Sequence, residues 1–134
     1  LTVPFLGGDG WDGLEGYATA DQLKDAYFCA NYAKGSSSEF ESAYKEKYGE
    51  DYPNGFAPLG YDAAMTVVYG LQAAEDAGLE AGTDEYKQAV IDAIASGTID
   101  GITGTFTFDE HHNPVKQTAI LCFDGATPVL KEMF

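Results

Sequence analysis

The residues Gly7-Gly8-Asp9-Gly10-Trp11 place one carboxylate and one indole on a main chain otherwise bare of side chains. Glycines let a backbone approach a ligand closely, Asp9 can pair with an ammonium group, and Trp11 offers an apolar wall or a cation-π face. That combination suits a small amine-bearing solute. It equally suits a plain turn in which Asp9 caps a backbone amide and Trp11 enters the core. The order Gly-Gly-Asp-Gly lacks the spacing of a phosphate-binding loop. Asp9 and Asp12 also form a carboxylate pair of the kind used in acid-base hydrolysis, a chemistry that requires both groups to flank a substrate at a set separation.

His111 and His112, beside Asp109, Glu110 and Asn113, are ligand types for zinc. Adjacent histidines on a turn point in different directions, and a tetrahedral site needs further ligands, so a solvated turn is the better reading. The sequence contains no nucleophile elbow, His-Glu-x-x-His helix or Walker-type loop. It therefore offers no catalytic machinery and calls for no cofactor or metal. Cys29 and Cys122 are too far apart in sequence to mark a zinc site, and by themselves read as small buried hydrophobes. Tyr17, Tyr27, Tyr32, Phe56 and Tyr61 suit either pocket walls or core, and Phe56 stands in an irregular stretch ahead of a long helix, where a side chain can face a cleft.

The elements that position these residues follow from local pattern. Val3 to Leu6 is an apolar run emptying into glycines, read as a buried strand followed by a tight loop. A domain rarely begins so near a central strand, so more protein is expected ahead of it. A short helix over Thr19–Lys24, capped at Thr19 and burying Leu23, leads to a second strand at Ala26–Ala30. Ser36, Ser37 and Ser38 cap a helix in which Phe40, Ala43, Tyr44 and Tyr48 share a face, ending at Gly49. Pro58 suits the first turn of a long helix, expected to bury Tyr61, Ala64, Met65, Val68 and Leu71 up to Gly78. Tyr86, Ala89, Val90, Ala93 and Ile94 define the clearest amphipathic helix, closed by Gly97 as a helical C-terminal glycine. Thr103–Phe108 and Lys116–Phe123 read as strands joined in a hairpin. No repeat or flexible linker divides the chain.

The 134 residues are enough for one domain, and eighteen aromatic side chains (one Trp, nine Tyr, eight Phe) supply a core. Seven lysines, no arginine and 22 carboxylates leave a formal charge of -15. Nucleic acid and anionic lipid are repelled, and without a guanidinium fork an anionic substrate is disfavoured too. No apolar run approaches the roughly twenty residues that cross a bilayer.

In order and spacing, several segments resemble the C-terminal portion of type I periplasmic binding proteins of the branched-chain amino acid ABC transporter substrate-binding family. These are Pro4–Trp11, Asp25–Phe28, Phe40–Gly49, Phe56–Ala63, Gly101–Asp109 and Asn113–Lys116. The resemblance covers nearly the whole chain and implies an α/β, Rossmann-like fold, partial, with a C-terminal β-hairpin. Family members have two lobes joined by hinge strands that close over a solute. It further implies that residues 1–30 and about 117–134 form hinge and one lobe, and 31–116 mostly the other.

By the same resemblance, Asp9 takes the loop acid's role of binding the ligand's ammonium, Phe56 maps onto an aromatic that meets the ligand side chain, and Trp11 is a neighbour. The family's carboxylate-binding serine and threonine sites lie in an N-terminal portion that this sequence lacks. Cys29 and Cys122 would approach the hinge, where a disulfide becomes conceivable. The implied function is the extracytoplasmic solute-binding component of an ABC importer, taking an amino acid and handing it to a membrane permease, in full length with a lipid anchor as one arrangement. A ligand-sensing receptor domain is the alternative, and a hydrolase using Asp9 and Asp12 a third. The 134 residues by themselves are expected to dimerise or swap to cover exposed edges.

Overall fold

A computed structural model describes residues 3–134, which divide into two compact units: the chain up to Leu59 with Gln117–Phe134, and Gly60–Lys116. The first carries a four-stranded sheet in the order β1-β2-β6-β7, from β1 (Phe5–Gly7), β2 (Ala26–Ala30), β6 (Ala119–Asp124) and β7 (Thr127–Met133). Strands β1 and β2 are parallel, with Gly7 opposite Phe28, while β2–β6 and β6–β7 are antiparallel. Between β1 and β2 run two 3-10 turns, Asp9–Trp11 and Leu14–Gly16, and the short helix α1 (Ala20–Leu23). At α1 the Thr19 backbone N–H donates to Gln22 Oε1 at 2.9 Å, satisfying one of the donors a helix start leaves free.

Alternation in β2 and β6 sends Ala26, Phe28 and Ala30, with Ala119, Leu121 and Phe123, to one face. They meet Leu23 and Ala33, and Phe28 and Phe123 stack at 5.5 Å between ring centroids. Burying Leu23 alone contributes ~1.5 to 3 kcal/mol. Helix α2 (Ser38–Tyr48) follows, its Ser37 Oγ accepting from Phe40 N at 3.3 Å and Gly49 closing it with φ of +78°. Its Phe40 and Tyr44 pack with Tyr32 and Tyr52 into an aromatic cluster. Residues 31–59 thus group with the four-stranded sheet.

Two expectations change in this unit. Strand β1 is not buried: among the described residues it lies at the sheet edge, paired with β2, and Leu6 is 80% exposed. Nor does 116–123 form a hairpin with 103–108, because β6 pairs with β2 on one side and turns through Gly125 (φ +62°) into β7 on the other. The C-terminal hairpin is β6–β7.

The second unit contains most of helix α3 (Phe56–Asp76), helix α4 (Asp84–Ser96) and a small antiparallel sheet of β3 (Ile99–Gly101), β4 (Gly104–Phe108) and β5 (Pro114–Val115). Helix α3 turns inward a stripe of Asp62, Thr66, Gly70 and Ala74, whereas Tyr61, Met65, Val68 and Leu71 are exposed. The expected buried face is therefore the wrong one. The helix is apolar nearly all round, so its pattern does not choose a side, and the smallest residues decide. A methyl on Gly70 would lie 2.8 Å from Ile94 and 2.9 Å from Val90 of α4. Gly97 likewise ends α4 in an extended conformation (φ -83°), not a left-handed one. It is small because Tyr69 and the Ala93 carbonyl press against it.

Asp62, 3% exposed, is the polar centre of this unit. Its carboxylate accepts from Ile102 N (2.8 Å), Thr103 N (2.9 Å) and Thr103 Oγ1, and Lys116 Nζ donates to the same threonine hydroxyl. Burial lowers the Lys116 pKa, opposed by the attraction of Asp62. Asp62→Ala would leave two main-chain donors without an acceptor, and is expected to lower unfolding free energy by more than ~2 kcal/mol in urea titrations followed by circular dichroism.

Candidate functional site

The parallel pairing of β1 and β2 brings their carboxyl ends to the same edge, and the loops leaving them converge on one hollow of the first unit. In open α/β sheets this is where ligands are met. Its lining consists of Asp9 and Asp12 after β1, Ala30, Asn31 and Tyr32 at the end of β2, and Gly55, Phe56 and Leu59 at the start of α3. Phe56 is 76% exposed. Its backbone N–H donates to Asn54 Oδ1 at 3.0 Å, a local turn that opens the helix and leaves the ring outside the core.

The two aspartates of the loop differ in what their carboxylates do. Asp9 begins the 3-10 turn and is exposed; its side chain makes no hydrogen bond or ion pair among the described residues. Asp12 accepts from Gly55 N at 2.7 Å. Asp9 is thus the loop carboxylate without a hydrogen-bond partner among the described residues. Trp11 stands apart from the hollow: it is half-buried against the core, and its ring lies over Gly7, where any Cβ would collide with it. Glycine at position 7 is required by that approach.

Cys29 and Cys122 are both free thiols. The register opposes Cys29 to Ile120 and Cys122 to Tyr27, so the two are diagonal across the β2–β6 ladder. Diagonal pairs are separated by ~7 to 8 Å, wider than disulfide geometry accepts without backbone movement. The Cys29 thiol instead points toward the Gly7 carbonyl of β1, at 3.8 Å. His111 and His112 lie on an exposed turn in which Asp109 accepts from His111 N (2.9 Å) and Asn113 N (2.8 Å), with His112 in the left-handed region at φ +62°. Among the described residues no group of three or more potential ligands is arranged to hold a metal, and no helix is long and apolar enough to cross a membrane.

Residues 2–126 match the family described as periplasmic binding protein. The chain belongs to that family. Membership implies an extracytoplasmic location. Similar solved structures include the solute-binding protein of an ABC transporter from R. palustris in complex with benzoate (20% identity, TM-score 0.69, covering 97% of this chain and 35% of that one). Another is the leucine binding protein LivK from Thermotoga maritima (20% identity, TM-score 0.68, 100% and 38%). A third is the branched-chain amino acid transporter substrate binding protein LivJ from Streptococcus pneumoniae in complex with isoleucine (26% identity, TM-score 0.66, 97% and 36%). The chain thus spans little more than a third of these relatives, with the type I periplasmic-binding α/β fold in part. A comparison with curated protein sequences finds none that matches.

Within this family's fold, the hollow also contains residues that local sequence did not single out as a group. Asn31 and Leu59 join it through topology alone, and no motif marks them. Tyr32 is 6% exposed, and its hydroxyl donates to Glu41 Oε1 at 2.8 Å while accepting from Ser37 N at 2.9 Å. Burial, reinforced by the Glu41 hydrogen bond, raises its pKa from 10.0 to about 12. Tyr52 is shifted upward as well, chiefly by burial. Because the neutral phenol is favoured in the fold, this stability is fully present below pH 10.0 and is lost as pH rises through about 12. Unfolding free energy measured across that window should fall, and Tyr32→Phe should flatten part of the decline.

Proposed function

We propose that the hollow beside Asp9 binds a small amine-bearing solute, an amino acid of the branched-chain type, as part of the extracytoplasmic receptor of an ABC importer. The observation that carries this reading is the uncommitted, exposed carboxylate of Asp9 at the carboxyl end of a parallel strand, on the same hollow as the exposed ring of Phe56. Asp9 would take the ammonium through a charge-assisted hydrogen bond, and Phe56 would pack on the apolar side chain. Trp11 supports the loop from behind by packing over Gly7. With no arginine in the chain, the solute's own carboxylate would be held by hydroxyl or main-chain donors elsewhere in the receptor. No bond is made or broken. Delivery to a membrane permease, and a lipid anchor on the longer protein, complete the proposal.

The relatives' solutes supply a direct test, since isoleucine carries an amine and benzoate does not. Calorimetry on the full-length receptor should show binding of L-isoleucine or L-leucine and none of benzoate. Asp9→Asn should weaken amino acid binding by ~1.5 to 3 kcal/mol, the value of a hydrogen bond to a charged group. Tight benzoate binding, or an unchanged affinity in the variant, would remove the amine-binding role.

A further inference from the structure

We infer that Asp12 is a positioning residue which fixes the distance between the solute-binding carboxylate of Asp9 and the aromatic wall at Phe56 without touching the solute. This deepens the amine-binding reading and rests on it. The Asp12 backbone N–H donates to the Asp9 carbonyl at 3.0 Å, closing the 3-10 turn that presents Asp9. Its side chain then spans 43 residues of sequence to accept from Gly55 N at 2.7 Å. Gly55 is bonded directly to Phe56, whose own N–H is held by Asn54. One residue therefore ties the acidic turn through its backbone N–H and the aromatic turn through its carboxylate.

Among the described residues it makes the one hydrogen bond joining the turn 9–12 to the turn 54–56. The approach is close: a Cβ on Gly55 would stand 3.3 Å from Asp12 Oδ2. The bond is of the charge-assisted kind, carboxylate to backbone amide, and its geometry is that of a strong one. A carboxylate that needed only to repel anions or attract cations could sit anywhere on the rim. This one is aimed along a donor.

Trp11 lies between the two aspartates and is the chain's one tryptophan, so its fluorescence reports the turn with no solute present. The test compares Asp12→Ala, Asp12→Asn and Asp9→Asn, reading Trp11 emission and acrylamide quenching in these 134 residues and L-isoleucine affinity by calorimetry in the full-length receptor. Asn retains an oxygen acceptor at the right reach, whereas Ala does not. Asp12→Ala should shift Trp11 emission, raise quenching and weaken L-isoleucine by about tenfold. Asp12→Asn should restore both to near the parent, and Asp9→Asn should lose affinity with Trp11 unchanged.

If Asp12→Asn loses as much affinity as Asp9→Asn while Trp11 is undisturbed, Asp12 is itself a solute ligand and the inference fails. It fails equally if Asp12→Ala changes neither readout. Should even the parent bind no L-isoleucine, the amine-binding reading is what falls, and the Trp11 shift with its rescue by Asn still decides the positioning role. Should Asp12→Ala not fold, hydrogen exchange of the Gly55 amide in the parent decides: protection supports the bond, and exchange at the free rate overturns it.

Discussion

The parallel pairing of β1 with β2 is the constraint on which the candidate site depends. Parallel strands cannot be joined by a tight turn, so the chain must cross over between them, here through residues 8–25. The same direction of travel delivers both carboxyl ends to one edge of the sheet. Gly7 faces Phe28, and β2 continues two residues further to Ala30, which brings Asn31 and Tyr32 level with the Asp9 loop. An antiparallel arrangement of the same two strands would have sent those loops to opposite edges. The core beneath, where Leu23 and Phe28 meet Leu121 and Phe123 from β6, holds that edge in place.

Three aspartates show how partners, not residue type, assign roles. Asp62 is buried and fully engaged by the β3–β4 turn, where it holds α3 to the small sheet. Asp12 is exposed yet committed to Gly55, and Asp9 is exposed and uncommitted. A buried carboxylate engaged by several donors, as Asp62 is, has little left to offer a solute. One that faces water retains its full capacity, and its desolvation on binding is compensated only by a donor or cation. Others are engaged locally, as Asp51 is by Lys34 and Lys45 and Glu41 by the Tyr32 hydroxyl.

Helix α3 illustrates a second principle of the fold. Most of its large apolar side chains are exposed, and its approach to α4 is at Gly70, beside Val90 and Ile94. The hydroxyl of Tyr86 in α4 donates to Glu75 of α3 at 2.9 Å, adding a polar tie to that contact. The glycine at position 70 gives the side chains of Val90 and Ile94 room to approach the α3 backbone.

Local rules made much of this legible in advance. Ser37 and Gly49 bound α2 as a capping serine and a closing glycine should, Thr19 opens α1, and the apolar run Ala26–Ala30 forms a strand. Each depends on neighbours within four residues, and the sequence by itself determined them, along with the Gly7–Trp11 loop as a turn after a strand. Tertiary structure alone decided that β6 leaves β4 for β2 and that α3 buries Asp62 in place of Tyr61 and Met65. It also decided that Trp11 leans on Gly7, and that Asp12 rather than Asp9 is tied down. In each case the deciding partner lies far along the chain, 43 residues for Asp12 and Gly55, and a hydrogen bond or close contact at that separation leaves no trace in local periodicity.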